Sequence, residues 1–524
     1  MTNVQNKTGW RIVGKAVANA APLLGALLFL THCPSTAMGQ ERPGGEGGER
    51  SGGRDAGFLG AKKHPKFTPS EAPTRSYVKP HLPTMDANTY DALKAQAAAE
   101  NPTSSPFRSQ GMAVQPRTLN ITFPGLDRFG SSDQGFIFTP PDVNSAVGLG
   151  QMVEVTNNHY ACYDQFGTQL QSTPMSVFFG YSTRLLTDPR VVYDSIWNRW
   201  IVTEVAFPEN ANTMFFFLAA SQTSDCTGFF NVYSLNMPLF PNDFYDYPAV
   251  GYDQDAILTT FNVFIGQTGP LRYAEVDMWA KARVYNGLPL FVPFINGFGG
   301  TLTPNVERDQ NGTTVLLRNV VNTNQVQLIK LVNTAKINPS NTTVNVTTAQ
   351  VCNVPRSAFQ PGTGAQLDTL DSRFQAPGTQ SGAFLWNVQT CGPGLPTPRV
   401  LQINTNTNLV VQTDFVFAAG SSDDFNPSLA ANDAGDLLVN WSSTNTSAGQ
   451  NAGEIFASRP AGGFFNAPAE CFRSTTFSTA FRWGDTSGTS VDFTDPFQQT
   501  WWTSNETIQT ASNWGTQFCG ISRP

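Results

Sequence analysis

Histidine and recognisable catalytic motifs are scarce in this chain of 524 residues. Four histidines occur, and only His64, His81 and His159 lie beyond the apolar N-terminal stretch. This small number excludes a histidine-rich metal site. A Ser-His-Asp triad would need His159, but no G-x-S-x-G motif supplies the serine. The sequence also lacks a Cys-x-x-Cys pair and a complete Walker phosphate loop, which argues against a zinc ribbon and a nucleotide site.

Basic residues are sparse as well. The chain has 32 Lys and Arg against 39 Asp and Glu, and residues 117–524 hold only three lysines. Nucleic acids and anionic membrane surfaces attract clustered Lys and Arg, so this acidic body argues against both partners. Beyond the N-terminus no apolar run is long enough to span a bilayer, and we expect no membrane insertion once the N-terminal stretch is removed.

The N-terminus has the pattern of an export signal. Three basic residues precede an apolar stretch from Ala16 to Leu30, and small residues precede Gln40. We therefore predict a signal peptide over residues 1–39 and a protein that is secreted, periplasmic or at the cell surface. A retained membrane anchor is the alternative, and the short apolar stretch makes it the less favoured one.

Cysteine usage fits export. Six cysteines follow the predicted signal, and an even number in an exported chain predicts three disulfides. The sequence leaves the pairing open. Nearest neighbours along the chain are the preferred choice, which pairs Cys162 with Cys226, Cys352 with Cys391, and Cys471 with Cys519.

Residues 40–116 are rich in Gly, Pro and charged residues and poor in apolar ones, which is typical of a linker. We predict a flexible spacer here with one short helix. The helix signal is the Ala-rich stretch Met85–Glu100, with Asp86 or Asn88 as its N-cap. The folded domain is then expected to begin at Arg117.

One pattern recurs from residue 117 onward. A polar turn leads into a short apolar run, an Asp- or Gly-bearing loop and an alternating strand, as in "TDPRVVYDSIWNRWIVTEVAF" (residues 187–207). This pattern predicts an all-β fold, a seven-bladed β-propeller over residues 117–524. A string of β-sandwiches is the alternative, but its period would be about twice as long. Leu119–Asp127 is expected to add an outer strand to the last blade and latch the ring. The copies start near residues 142, 188, 246, 304, 371, 426 and 485.

Two of the copies resemble a known class of propeller. The segments "FNPSLAANDAGDLLVNWSS" (from Phe425) and "RWGDTSGTSVDFTDPFQQTWWTSNE" (from Arg482) are similar to blades of secreted bacterial propellers of the sialidase-like, BNR-repeat superfamily. "SSDQGFIF" (Ser131–Phe138) resembles the Asp-box turn of that class. The resemblance implies the propeller fold and export for residues 117–524. The arginine triad, Tyr/Glu pair and Asp acid of true sialidases have no residue-by-residue counterpart here, so the activity stays open.

The polar turns of the copies lead into the inner strands of the predicted blades, so their side chains are expected to converge at one mouth of the channel. Carboxylates with arginines suit a sugar or a cation, and paired carboxylates also suit acid/base chemistry on a glycosidic bond. The plainer interpretation is that an Asp beside Pro shapes the turn by accepting backbone hydrogen bonds, a purpose for which arginine is not needed. The candidate ligand-binding residues are Asp142, Asp188, Arg190, Asp246, Asn426, Arg482 and Asp485.

Two functions fit this pattern. The first is an exported propeller that binds a glycan or a cell-surface protein through the channel mouth. The second is a carbohydrate-active enzyme, a glycoside hydrolase or a polysaccharide lyase, that uses the same carboxylates and arginines; its catalytic residues are not assigned. We expect no cofactor and a monomeric state. Calcium at the acidic turns Asn432–Asp436 and Asp492–Pro496 is an alternative to plain turn chemistry, which is the preferred interpretation.

Overall fold

Strands dominate the part of the chain that the structure, a computed structural model, describes: residues 49–66, 75–100, 117–392 and 394–522. The predicted signal peptide over residues 1–39 lies outside this part. No helix within the described ranges has the length and apolar character needed to cross a bilayer. The all-β prediction is confirmed, because alternating strands and Gly- or Pro-bearing turns make up most of the described chain.

Three elements precede the domain that the sequence predicts from residue 117. They are strand β1 (Arg50–Lys63), strand β2 (Arg75–Val78) and helix α1 (Ala87–Ala99). The helix lies where the Ala-rich stretch predicts it. The side chain of Asp86 caps this helix by accepting a hydrogen bond from the amide of Thr89, which satisfies one of the free N–H groups of the first turn.

Two further strands come before the first repeated sheet, β3 (Thr118–Asp127) and β4 (Phe136–Thr139). β4 pairs in parallel with β2, with Arg75 opposite Phe136 at one end and Val78 opposite Thr139 at the other. Through this pairing β2 attaches to the start of the domain.

The first three repeated sheets each contain four antiparallel strands that pair in chain order. Their elements are, in the first sheet, β5 (Asn144–Val147), β6 (Gln151–Thr156), β7 (His159–Asp164) and β8 (Gln169–Pro174), followed by helix α2 (Met175–Phe179); in the second, β9 (Leu186–Asp194), β10 (Arg199–Ala206), β11 (Phe215–Ser221) and β12 (Phe229–Asn236); and in the third, β13 (Asp243–Tyr252), β14 (Ala256–Ile265), β15 (Leu271–Ala280) and β16 (Leu290–Phe298), with helix α3 (Lys281–Val284) between the last two.

The later sheets continue the same order, although in the fourth the first strand, β17, pairs in parallel with the first strands of its two neighbours. The elements are, in the fourth, β17 (Asn305–Glu307), β18 (Thr314–Val320), β19 (Gln325–Val332) and β20 (Ser340–Thr347), followed by the short hairpin β21 (Ala358–Phe359) and β22 (Gln366–Leu367); in the fifth, β23 (Gly378–Ser381), β24 (Phe384–Cys391), β25 (Thr397–Asn404) and β26 (Leu409–Phe415); in the sixth, β27 (Asp423–Ala431), β28 (Leu437–Asn445), β29 (Gln450–Arg459) and β30 (Ala469–Arg473); and in the last, β31 (Gly488–Val491), β32 (Thr500–Thr510) and β33 (Asn513–Ser522).

The last sheet takes its outer strand from the start of the domain. β3 pairs antiparallel with β33, from Thr118 opposite Ser522 to Asp127 opposite Gly515. The outer strand that the sequence predicts at Leu119–Asp127 is therefore present. Because this strand and its partner are nearly 400 residues apart in sequence, their pairing ties the two ends of the described domain together.

The first strands of the sheets follow one another in a cyclic order. β5 contacts β9, and β9 contacts β13. The same order of contacts continues through β17, β23, β27 and β31, and β31 in turn contacts β5. Six of these seven strands line one narrow cavity of about 60 Å³. The cyclic order and the shared central cavity make the architecture propeller-like, and separate bead-like sandwiches do not describe it.

The apolar core lies between consecutive sheets. Each sheet packs against the next through a cluster of buried apolar side chains. A further cluster joins the last sheet to the first: Phe123, Trp502 and Phe518 pack against Met152 and Tyr163. A twisted sheet with two apolar faces is covered only when both faces have a neighbour, which is why the packing continues around the molecule.

The prediction of a flexible spacer over residues 40–116 is wrong for Arg50–Lys63. β1 pairs with β12 on one edge and with β16 on the other, so it joins the outer strands of the second and third sheets. A Cβ atom at Gly52 would lie 2.4 Å from the ring of Phe294, and one at Gly53 would lie 2.1 Å from the ring of Phe291. The glycines that suggest a linker are therefore needed for close packing against two phenylalanines.

Three disulfides connect the pairs that neighbour each other along the chain, Cys162–Cys226, Cys352–Cys391 and Cys471–Cys519. The first joins β7 to the loop before β12, and the third joins β30 to β33. Two of the three bonds therefore link consecutive sheets to each other.

Candidate functional site

The positions that the sequence predicts as turns lie within the first strands β9, β13 and β27, or in the segments that precede β5 and β23. They share an uncommon backbone conformation. Asp142, Asp188 and Asn426 have φ values of 50°, 57° and 49°, and Tyr247 and Leu370 adopt similar values. Asp and Asn tolerate this left-handed region better than most residues, because their short polar side chains bond to nearby backbone groups. The recurrence of Asp or Asn at this step therefore has a local structural cause as well as any functional one.

Several of the predicted residues are linked directly at one end of the central cavity. The amide of Asp485 donates to Asp142 Oδ1 at 2.8 Å, although the two residues are 343 positions apart. Asn157 connects Asp142 to Asp188. Its Nδ2 donates to Asp142 Oδ2 at 2.7 Å, and its Oδ1 accepts from the amide of Asp188 at 2.8 Å. Asn426 Nδ2 donates to the carbonyl of Gly484 at 2.8 Å, which places it in the same belt.

Arg482 lies between two carboxylates of this belt. Its Nη1 donates to Asp368 Oδ2 at 2.5 Å and its Nη2 donates to Asp485 Oδ1 at 2.8 Å. Its Nε donates to the carbonyl oxygen of Lys79 at 3.1 Å. The guanidinium is buried and uses its fork of donors on three acceptors, an arrangement that lysine cannot reproduce.

Arg190 and Arg373 approach the same aromatic ring. Their guanidinium carbons lie 5.3 Å and 4.4 Å from the ring centre of Tyr247. Arg373 is also paired with Asp371 at 2.8 Å, whereas the Nη1 of Arg190 donates to the carbonyl of Pro189. The hydroxyl of Tyr247 is buried and has no hydrogen-bond partner among the described residues.

We call this convergent set the mouth and use the name for nine residues that lie together at the entry ends of the first strands. Sequence reasoning missed three of them, although the spacing of Asp188 and Arg190 in "TDPR" recurs at Asp371 and Arg373 in "LDSR". That repeated Asp-x-Arg spacing is the signal that would have found Asp371 and Arg373, whereas Asp368 lies outside it. The mouth consists of Asp142, Asp188, Arg190, Asp246, Asp368, Asp371, Arg373, Arg482 and Asp485.

The centre of the mouth holds a residue that the sequence assigns to the spacer. Lys79 Nζ bonds Asp188 Oδ1 and lies 3.3 Å from Asp246 Oδ1. Residues 75–100, which comprise β2, the following loop and α1, thus cover the mouth, and we call them the mouth segment. The spacer prediction is wrong here too, because the ion-pair partners of Lys79 lie more than 100 residues away and leave no local pattern.

The carboxylates of the mouth differ in pKa. Burial, with the neighbouring Asp485, raises the pKa of Asp142 to about 7. Burial also raises the pKa of Asp246, and the charge of Asp188 adds to this shift against the opposing effect of Lys79. Burial acts in the same direction on Asp188, but the charges of Lys79 and Arg190, together with hydrogen bonds, outweigh it and the pKa of Asp188 lies below its ordinary value. Carboxyls in one site whose pKa values are displaced in opposite directions are an arrangement used for acid/base chemistry.

The acidic turns considered for calcium have their oxygens engaged by protein donors. Asp436 Oδ2 accepts from the side chain of Gln499, and its Oδ1 accepts from the amide of Ala461. Asp492 Oδ1 accepts from the amide of Thr494, and its Oδ2 accepts from the indole of Trp502. N–H donors at these oxygens are the contacts of a structured turn rather than those of a metal cage.

A scan against protein-family models finds no match for the chain, and a search of curated protein sequences finds none either. Solved structures that it resembles include a subtype N10 neuraminidase-like protein of A/little yellow-shouldered bat/Guatemala/060/2010 (10% identity, 63% of this chain and 96% of that one, TM-score 0.35). Others are the α-L-arabinanase of Penicillium chrysogenum (9%, 77% and 99%, TM-score 0.36) and the quinohemoprotein alcohol dehydrogenase of Comamonas testosteroni (10%, 82% and 82%, TM-score 0.37). Similarities at this level do not assign the chain to a family.

Proposed function

We propose that the chain is an exported seven-bladed propeller whose mouth binds a ligand at the cell surface, either a protein or a glycan. The convergence of six aspartates and three arginines at one end of the central cavity carries this proposal. In this proposal, each repeated sheet is a blade and the pairing of β3 with β33 closes the ring. Three disulfides are typical of exported proteins and support the proposed location.

Binding is favoured over catalysis because the charged groups of the mouth form ion pairs and hydrogen bonds with one another. The guanidinium of Arg482 donates hydrogen bonds to Asp368, to Asp485 and to a carbonyl of the mouth segment, and Arg373 forms an ion pair with Asp371. A nucleophile or general acid must reach the substrate, whereas these groups are arranged as a rigid, charged platform. Arg190 is the exception, since its guanidinium contacts a backbone carbonyl and the ring of Tyr247 and forms no ion pair with a carboxylate of the described chain.

A carbohydrate-active enzyme is the second candidate, and one observation favours it. Asp188 and Asp246 both contact Lys79, yet their pKa values are displaced in opposite directions. A pair of this kind supplies one proton donor and one base in the same place. In that case the mouth segment would have to leave before a substrate reached the carboxylates.

A screen of the purified full chain separates the two candidates. The protein is tested against panels of polysaccharides and cell-surface proteins, and reducing ends and the ultraviolet absorbance of unsaturated products are followed. We expect affinity without turnover, and Arg190→Ala to weaken that affinity by about tenfold or more, since a charged hydrogen bond contributes about 1.5–3 kcal/mol. Turnover that Arg190→Ala abolishes would instead establish the enzyme.

Arg199→Ala is the matched control, because Arg199 lies in the same sheet opposite Asp194, at the end of β9 that is away from the mouth. It is expected to leave the affinity unchanged. If both variants bind every ligand as the unmodified protein does, the mouth is not the binding site.

A further inference from the structure

The mouth segment follows the path of a bound peptide. β2 and β4 form a two-stranded parallel sheet, and the pairing continues past the end of β2, where the amide of Lys79 donates to the carbonyl of Thr139 at 3.0 Å. The carbonyl oxygen of the same residue, Lys79, accepts a hydrogen bond from Arg482 Nε at 3.1 Å. Strand addition fixes the backbone while one side chain enters a pocket, which is a recurrent way for proteins to recognise extended peptides.

The side chain that enters the pocket is an ammonium. Lys79 is buried, and its Nζ lies between Asp188 and Asp246. Burial opposes the charge, but these two carboxylates outweigh it and hold the pKa of Lys79 above its ordinary value. A buried ammonium is stable only with such partners, so the pocket is built for a cation of this shape.

The rest of the mouth segment is attached mainly by polar contacts. Lys94 Nζ donates to Thr369 Oγ1 at 2.8 Å, His81 Nδ1 lies 3.5 Å from Asp368, and Thr84 donates to Asp371 at 3.3 Å.

The apolar contacts of the segment are few. Ala97 is the only buried apolar residue of α1, Leu82 borders the cluster between the second and third sheets, and the ring of Tyr77 lies 5.1 Å from that of Phe138. The segment therefore buries less apolar surface than the clusters between the sheets, and a ligand that supplies the same polar contacts can replace it at a smaller cost in free energy.

Two features show that the mouth has capacity for a ligand beyond the mouth segment. Without Lys79, His81 and Lys94, the mouth has six aspartates against three arginines and is left with excess negative charge. The buried hydroxyl of Tyr247 finds no hydrogen-bond partner in the described chain, and neither carboxylate oxygen of the buried Glu204 does. Burial and the charges of Asp133 and Asp188 raise the pKa of Glu204. An uncovered mouth is therefore expected to attract cations.

We propose that the mouth recognises a lysine side chain on an extended polypeptide ligand, and that Lys79 of the mouth segment is an internal occupant which the ligand displaces. The proposal rests on the proposed function of the mouth and specifies its ligand. The backbone contacts of Lys79 favour a polypeptide over an amino sugar, which offers an ammonium but no strand to pair with β4.

Chemical rescue tests the ammonium pocket. Lys79→Ala in the full chain leaves Asp188 and Asp246 without their cation, and we expect a lower Tm. n-Propylamine, which restores the three carbons and the ammonium that the substitution removes, should raise the Tm of this variant by several degrees, whereas n-propanol should not. Lys62→Ala is the control, because Lys62 Nζ donates to the carbonyl of Phe179 and has no carboxylate partner among the described residues. Equal rescue by propanol, or no rescue, overturns the pocket.

Hydrogen exchange tests whether the mouth segment dissociates from the mouth. The experiment uses a second variant, so that it can be done even if Lys79→Ala does not fold. Asp246→Asn keeps Lys79 but removes the charge of one of its two carboxylate partners. We expect the amides of residues 75–100 to exchange about tenfold faster while those of β9 and β13 keep their protection. Unchanged exchange in the mouth segment, or faster exchange throughout the domain, would show that the segment is a permanent part of the fold.

Binding of a peptide identifies the ligand class. The probe is a labelled peptide with the sequence of residues 75–84, and the protein is the full-length Lys79→Ala variant. We expect binding that is lost when the lysine of the peptide is replaced by alanine and that a glucosamine tetramer does not displace. Binding of the tetramer but not of the peptide would overturn the polypeptide ligand. The rescue by propylamine depends only on the carboxylate pair, so its failure is distinguishable from a negative ligand screen.

Discussion

Buried ionisable side chains determine how this protein responds to pH, and Glu154 is a clear case at the scale of one residue. It is fully buried on β6, and its Oε2 accepts from the amide of Leu126 in the latch strand β3 at 2.9 Å. Burial raises its pKa from 4.5 to about 7, against the opposing effect of its hydrogen bonds. The folded state therefore holds a proton that the unfolded state has already released.

From this shift we predict that Glu154→Gln stabilises the protein at high pH. The folded pKa is raised for an acid, so the free energy of unfolding falls as the pH rises from about 4.5 to about 7. The variant lacks this titration, and at pH 8 it should gain up to roughly 3 kcal/mol over the unmodified chain. Urea unfolding at pH 4 and pH 8 measures the difference.

Glu470→Gln is the control for this experiment, because Glu470 is largely exposed and pairs with Arg473 on the surface. Its effect on the free energy of unfolding should be small at both pH values. An effect of Glu154→Gln that is the same at both pH values would contradict the assigned protonation.

Residue positions in the mouth were predictable from sequence to the extent that they repeat. Asp142, Asp188, Asp246, Asn426 and Asp485 occupy one step of a recurring unit, and the closure of the molecule gathers that step at one place. Lys79 was not predictable in this way, because it belongs to no repeat. Its burial depends on carboxylates that reach it only after the sheets have assembled.

At the scale of elements, glycines mark the places where strands approach too closely for a side chain. A Cβ atom at Gly251 in β13 would lie 2.4 Å from the carbonyl oxygen of Asn305 in β17. β13 and β17 pair in parallel through the next residues, Tyr252 and Val306. The obstruction is backbone and cannot rotate away, so the strands would have to separate.

We therefore predict that Gly251→Ala lowers the free energy of unfolding by about 1–3 kcal/mol, the usual cost of overpacking. Gly312→Ala is the matched control, because a Cβ atom there meets nothing within 4 Å, and its effect should stay within about 0.5 kcal/mol. Urea midpoints of the two variants provide the comparison. Equal midpoints would mean that β13 and β17 are not packed together as described.

Elements with local signals were predictable and elements with distant partners were not. The alanine-rich helix and its Asp86 cap are encoded within a few residues, and the latch strand Leu119–Asp127 has the alternation of a strand. β1 was misread because its glycines look like a linker in isolation. Their meaning comes from Phe291 and Phe294, which lie about 240 residues away along the chain.

At the scale of the whole molecule, the contacts between the last and the first sheet unite these observations. The first and last sheets meet through the cluster around Phe123, through the side chains of Ser145 and Ser504 at 2.7 Å, and through the bond from Asp485 to Asp142. Without closure, the aspartates of the early and late sheets would not share a mouth, and Lys79 would have no pocket to enter.

A designed disulfide across the closure tests this claim most directly. A Cβ atom at Gly488 of β31 would lie 2.1 Å from Ser145 Oγ of β5, so cysteines at the two positions are close enough to bond. We predict that the double variant Ser145→Cys, Gly488→Cys forms this bond in the folded protein and that peptide mapping without reduction recovers the linked fragments. Free thiols at both positions in a protein that retains its three other disulfides would contradict the closed ring.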